Sequence, residues 1–271
     1  MANLENKVVI MTQLNQIISN LKGKQEIEAV FVAGSQGVSE EKEYSDIDLG
    51  IVINQETDLR GVFQWVDHKP CDIHFFNNAL LSVTLKSDSI PPNDKEGLIV
   101  SLLEKADIRF DKTGILTSFK NDLENIKKKL RVPQSKIIWF EGIINSAYIT
   151  NKRYFESNNS EYHQALEVKL LGDLDLLLKG YFEFRNIPWR GERQVLKYLK
   201  TNDDKFYDVY MSCIRSASLK EKFETYSILV NLVFYGNSSL WKKDIIAPFS
   251  YQSMDTQKRE DLIKYWKELN K

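Results

Sequence analysis

Two cysteines, Cys71 and Cys213, are all that the sequence offers. They are too few and too far apart for a disulfide framework or a thiolate metal site. A reducing, cytoplasmic setting is the expectation that follows. Histidine is also scarce, and His68, His74 and His163 lack the spacing of a zinc centre. No stretch approaches the roughly 18 apolar residues that a membrane span requires. The opening segment MANLENKVVIMTQLNQ reads as an amphipathic helix and not as a signal peptide. A basic excess is missing too: 37 Lys and Arg stand against 38 Asp and Glu, for a net charge of -1. That balance argues against a broad nucleic-acid surface, which needs cations to meet phosphates. Repeats and low-complexity tracts are absent as well.

What is present is an ordinary globular composition, 42% hydrophobic and 28% charged, on 271 residues. Its apolar pattern changes character partway along. Residues 4–22 place apolar side chains at three- and four-residue steps, as a helix would. Glu28–Gly34, Asp46–Ile53, Cys71–Asn77 and Ala106–Gly114 are short runs rich in β-branched and aromatic residues, and they read as strands. TDLRGVFQWVDH, between the second and third runs, reads as a short helix, and 82–94 as a loop. Beyond residue 114 only helical patterns follow. The expected fold is therefore α+β: a mixed sheet with flanking helices over 1–114, then an all-α bundle over 115–271. The joint is expected within 112–134.

One stretch stands out within the sheet region: FVAGSQGVSEEKEYSDIDLGIVI, Phe31–Ile53. In a strand, Asp46 and Asp48 lie on one face with roughly 6–7 Å between Cα atoms. Ile47, Leu49, Ile51 and Ile53 fill the other face. Two carboxylates so placed repel each other and resist burial unless a cation joins them. Mg²⁺ takes oxygen ligands of this kind, often together with phosphate oxygens. Asp72, in the run CDIHFF, supplies a third carboxylate if its strand is a neighbour. Three carboxylates can hold two metals, one for the attacking oxygen and one for the leaving group. Gly34 permits close backbone approach to a phosphate, and Ser35 can donate to it.

AGSQGVSEEKEYSDIDLGIVI together with CDIHF resembles the signature of the DNA polymerase β-like nucleotidyltransferase superfamily. Within it, the layout is most similar to the bacterial aminoglycoside and lincosamide nucleotidyltransferases, which carry a helical domain behind the catalytic one. The resemblance implies that Gly34 and Ser35 bind the nucleoside triphosphate. Asp46 and Asp48 would hold Mg²⁺, two ions in all, with Asp72 as the third catalytic carboxylate. NIPWRGERQVLKYL, Asn186–Leu199, is similar to a second element of such enzymes, and implies Arg190 or Arg193 as phosphate ligands. Relatives acting on drug hydroxyls often use a helical-domain carboxylate as general base, which makes Glu141 and Glu167 the candidates here.

The resulting expectation is transfer of a nucleoside monophosphate from an NTP to a small-molecule hydroxyl, with pyrophosphate released. An aminoglycoside or lincosamide is the natural acceptor. A polycationic aminoglycoside would want an acidic cleft, and Glu141, Glu156, Glu161, Glu167, Asp173, Asp175 and Glu183 are available for one. Two rival readings stand beside it. One is a transferase acting on a protein or RNA, as in toxin–antitoxin systems. The other is a catalytically silent nucleotide-binding module on the same scaffold. His74 shares the face of Asp72 and is either site-lining or a satisfied core residue. Asp67 competes with Asp72 for the third position. Glu40–Glu43 and the lysines before Leu130 read as solvated charge.

Overall fold

A computed structural model describes residues 13–33, 46–55, 61–66, 68–242, 245–247 and 256–269. Within it the chain forms two compact units, Met1–Leu130 and Arg131–Lys271.

The first unit is built on five strands: β1 (Ile27–Ala33), β2 (Ile47–Ile53), β3 (Gly61–Val66), β4 (Lys69–Asn77) and β5 (Asp107–Asp111). Their order across the sheet is β3-β4-β2-β1-β5. Only β2 and β4 run parallel; β1 is antiparallel to β2 and β5, and β3 to β4. Both faces of the sheet carry a core. On one, Ile47, Leu49, Ile51, Cys71 and Ile73 pack with Val30 and Val32 against Leu14 and Ile18. Those last two lie on α1, helical over 13–22. On the other face, Phe31, Val52 and Phe76 meet Leu81, Ile99, Leu116, Phe119 and Ile126. These come from α2 (Asn78–Lys86), α3 (Lys95–Leu103), α4 (Ile115–Asn121) and α5 (Leu123–Lys127).

Two local expectations fail for identifiable reasons. The segment read as a helix around residue 60 is instead strand β3. Leu59, Val62, Phe63 and Val66 sit at i, i+3, i+4 and i+7, the spacing of a helix face. Only Val66 of β3 is buried, however, so the two-residue alternation of a half-buried strand never shows. The supposed loop at 82–94 begins inside α2, which starts where β4 ends. Asn77 caps it, its side-chain oxygen accepting from the Leu80 N–H at 2.7 Å. α4 and α5 fill the first unit's core through Leu116, Phe119, Leu123 and Ile126. The compact units divide at Leu130/Arg131.

The second unit is helical: α6 (Gln134–Phe155), α7 (Ser160–Phe184), α8 (Glu192–Asn202), α9 (Asp204–Arg215), α10 (Leu219–Val233) and α11 (Thr256–Leu269). No strand follows β5 among the described residues. Its core gathers Phe140 and Ile144 of α6, Leu170, Leu177 and Phe182 of α7, and Tyr226, Leu229 and Val233 of α10. Arg185 fastens the end of α10. Its guanidinium donates to the carbonyls of Val233 at 2.8 Å and Leu232 at 3.1 Å while lying 3.8 Å above the Tyr181 ring. None of the described helices is long and apolar enough to cross a membrane.

Candidate active site

Strand register builds the site. Ala33 of β1 pairs with Asp48 of β2, Asp48 pairs with Asp72 of β4, and Asp72 pairs with Phe63 of β3. The result is a single row across four strands, at about 4.8 Å per step. Directly paired residues share a face, so the Asp48 and Asp72 carboxylates stand side by side. The opposite parity, Ile47, Leu49, Cys71 and Ile73, is packed into the α1 core. Hydrophobic burial of those residues thus fixes both register and the outward placement of the acids. Asp48 and Asp72 are half-buried, and Asp46, immediately before β2, is exposed.

The next row inward is Gly50 paired with His74. His74 Nε2 lies 3.6 Å from Asp48 Oδ1, so the histidine lines the carboxylate row rather than sitting in a sealed core. A Cβ at Gly50 would come within 2.0 Å of the Phe31 ring, which occupies the space above that glycine. Phe31 in turn stacks on Phe76, centroids 6.1 Å apart. An aromatic layer therefore separates the open acid row from the helices behind it. On the reverse face, burial pushes the Cys71 thiol up to about 11, and the negative charges of Asp72 and Asp48 add to the shift. That thiol stays protonated at neutral pH.

Neither Asp46 nor Asp72 has a cationic partner among the described residues, and Asp48 has only His74. Adjacent, unpaired carboxylates fit a hard, oxygen-preferring divalent cation such as Mg²⁺. No group of three His, Cys, Asp or Glu side chains converges as a ready metal cage among the described residues. Two strand carboxylates with further oxygens from a bound phosphate match the way Mg²⁺ is usually held. Gly34, Ser35 and Asp67 lie outside the described residues.

The helical-unit candidates have different surroundings. Glu141 accepts from the Ser239 N–H at 3.3 Å and lies 3.7 Å from Arg259. Its carboxylate thereby ties α6 to the segment after α10 and to α11. Glu167 is exposed on α7, and Arg193 is exposed on α8. Arg190 lines a pocket of about 430 Å³ together with Phe182, Ile187, Gln194, Lys197 and Tyr198. Gly191, at φ +78°, opens the turn into α8 beside it. The pocket lining contains no carboxylate.

Most of the acids named for an acidic cleft in the helical half have a lysine or arginine within 4 Å. Glu183 pairs with Lys136 at 3.0 Å, Asp175 with Lys179 at 2.7 Å and Glu156 with Lys152 at 3.8 Å. Asp173 is buried, accepting from Asn151 Nδ2 at 2.6 Å with Lys169 at 3.8 Å. With Glu141 held by Arg259, five of these acids are engaged within the unit. They were available in composition, but helical spacing put a base within reach of most of them.

The sequence reading also overlooked Phe63 and Trp65. Once their segment is a strand, both fall on the carboxylate face of the sheet, and nothing in a helical reading could have placed them there.

Residues 15–86 match the family model described as Polymerase beta, Nucleotidyltransferase. That span starts inside α1 and ends with α2, so it contains the whole acid row. A nucleotidyltransferase-like protein from Exiguobacterium sibiricum 255-15 overlays 82% of this chain and 73% of its own, at 12% identity and a TM-score of 0.44. So loose a likeness carries no argument about function. No curated protein matches the sequence. Through residues 15–86, the segment that sets Asp48 beside Asp72, the chain is similar to the polymerase β-type nucleotidyltransferases.

Proposed function

We propose that this protein transfers a nucleoside monophosphate from an NTP to a hydroxyl of a small molecule, releasing pyrophosphate. The observation that carries the reading is the direct pairing of Asp48 with Asp72 on one sheet face. The family match over 15–86 supports it independently. Asp46, Asp48 and Asp72 are the residues that would hold the divalent ions, two Mg²⁺ on this reading. When bound, such ions supply Lewis-acid stabilisation at the attacking and leaving oxygens. The protein's own part is to hold the two strand carboxylates at fixed separation and to keep a packed aromatic floor behind them. Gly34 and Ser35 follow Ala33, the first residue of the row, in sequence, and are assigned to the triphosphate. Arg190 and Arg193 are assigned to phosphate on the resemblance of their segment, and the purely basic charge around the Arg190 pocket suits an anion. Glu141 and Glu167 are the assigned helical carboxylates for general base. The acceptor class is an antibiotic-like hydroxyl compound, an aminoglycoside or a lincosamide.

The test is pyrophosphate release from each of the four NTPs with Mg²⁺, with kanamycin or lincomycin as acceptor. Wild-type protein turns over with at least one pair. Asp48→Asn lowers turnover by about 10³-fold, the scale of losing a preorganised electrostatic contact to a transferring phosphoryl group. Its melting temperature holds or rises, since a like-charge repulsion with Asp72 is removed. NTP binding without turnover for any acceptor would favour the silent module, and turnover surviving Asp48→Asn would remove the metal assignment.

A further inference from the structure

The acid row does not end at Asp72. Its next member is Phe63, paired directly with Asp72, and Trp65 lies two residues along the same edge strand, opposite Pro70. Val66, of the opposite parity, is buried in the α1 core. That leaves Phe63 and Trp65 on the carboxylate face. Both are open to solvent, Phe63 at 58% and Trp65 at 65% exposure. The two rings meet edge to face with centroids 5.9 Å apart. Large aromatics so exposed, beside a catalytic candidate and fixed against each other, form a preorganised apolar wall.

Strand order gives this wall a direction. The row runs Ala33, Asp48, Asp72, Phe63. Ala33, the last residue of β1, stands at one end of the row, and the aromatic pair marks the other. On its carboxylate face the sheet carries Phe63, Trp65, Pro70, Asp72, His74 and Asp48 along β3, β4 and β2, with no lysine or arginine. β3 itself, GVFQWV, is uncharged. Among the described residues, that face offers a phosphate-bearing acceptor no lysine or arginine to pair with.

We infer that Phe63 and Trp65 are the acceptor-binding platform. Their ligand is a neutral or cationic compound that lays the flat face of a sugar, cyclitol or phenol ring on the aromatic wall and points its hydroxyl toward Asp72. C–H faces and ammonium groups are both attracted to the negative face of an indole ring. The inference rests on the nucleotidyl-transfer reading for the chemistry, but the binding surface itself is independent of turnover.

The experiment labels the full chain with 5-fluorotryptophan, whose five positions include Trp65. The Trp65 ¹⁹F resonance is assigned by its loss in Trp65→Phe. Kanamycin, lincomycin, N-acetyltyrosinamide, a short oligoribonucleotide with a free 3′ hydroxyl, and Mg²⁺ with a non-hydrolysable NTP are titrated separately. At least one of the three ring-bearing acceptors shifts the Trp65 signal saturably, while the oligoribonucleotide and the nucleotide leave it in place. In the kinetic arm, the double variant Phe63→Ala with Trp65→Ala raises acceptor KM by about tenfold or more and leaves the KM for NTP within about twofold. If the nucleotide alone moves Trp65, the wall serves the base of the NTP and the inference falls. It falls equally if none of the three acceptors moves it, or if only the oligoribonucleotide does. Should the wild type bind an acceptor at Trp65 yet show no turnover, the platform stands and the transferase reading fails, so the two failures are told apart.

Discussion

Two sets of carboxylates, one in each unit, are held in opposite ways, although Asp107, Glu104 and Glu124 of the sheet unit are ion-paired too. In the helical unit Glu183, Asp175, Asp173, Glu156 and Glu141 each have a lysine or arginine within 4 Å. In the sheet unit Asp48 and Asp72 are set side by side on paired strands, and their nearest basic neighbour is His74 at 3.6 Å. Acids that find a base within their own helix bundle hold structure together. Acids set beside each other by strand register repel, and a cation between them would relieve that repulsion. Composition cannot distinguish the two cases, because both halves contain carboxylates in abundance. Register and helical spacing do.

The contrast can be broken from either side. The largest structural effect is expected at Arg185, whose guanidinium satisfies two terminal carbonyls of α10 and covers Tyr181. Burial already lowers the pKa of that group, so its hydrogen bonds are what keep it in place. Arg185→Ala costs about 3 kcal/mol, the sum of two charge-assisted bonds lost and their acceptors left unpaired. Hydrogen exchange would show faster opening of α10, with β1 and β2 unchanged. Uniform loss of protection across both units would mean that they unfold as one.

A smaller effect, in the other unit, is expected from Gly50→Ala. The added methyl meets the Phe31 ring at 2.0 Å, and the ring is held by Phe76 beneath it. Overpacking of this kind costs about 1–3 kcal/mol. Exchange should quicken in β1, β2 and β4 while α6 and α7 keep their protection. Turnover should fall with it, because the strand that moves carries Asp48.

The smallest effect is expected at Glu141, where the two roles considered for one acid give different readouts. Its carboxylate is held by the Ser239 N–H and by Arg259. As a strut, Glu141→Gln changes kcat by less than about threefold and stability by less than about 1 kcal/mol. A drop in kcat of about 10²-fold or more, with loss of one limb of the pH profile, would instead mark it as the general base.

The mixed sheet with its following helices was readable because β1, β2, β4 and β5 are strong runs of β-branched and aromatic residues. The alternation of Asp46 and Asp48 with Ile47 and Leu49 likewise announced a two-faced strand, and the register pairs Asp48 directly with Asp72. β3 resisted the same reading because an edge strand exposed on both sides leaves no alternation to detect, while its apolar residues happen to fall at helical intervals. That single error hid the aromatic wall. The ion pairs of the helical unit were hidden for another reason: i,i+4 partners such as Asp175 and Lys179 can be seen in a sequence, but long-range ones such as Lys136 and Glu183 cannot.

The parallel pairing of β2 with β4 has a consequence for change over generations. Parallel neighbours cannot be joined by a tight hairpin, and here the path between them detours through β3 at the rim. Insertions or substitutions along that detour leave the Asp48–Asp72 pairing intact, because it is set by the buried residues of β2 and β4 themselves. A one-residue slip within either strand, by contrast, would turn its acid into the α1 core. The rim that carries Phe63 and Trp65 is therefore free to diversify, while the centre is locked. On the proposed function, a change of acceptor at that rim leaves the Asp48–Asp72 pair in place.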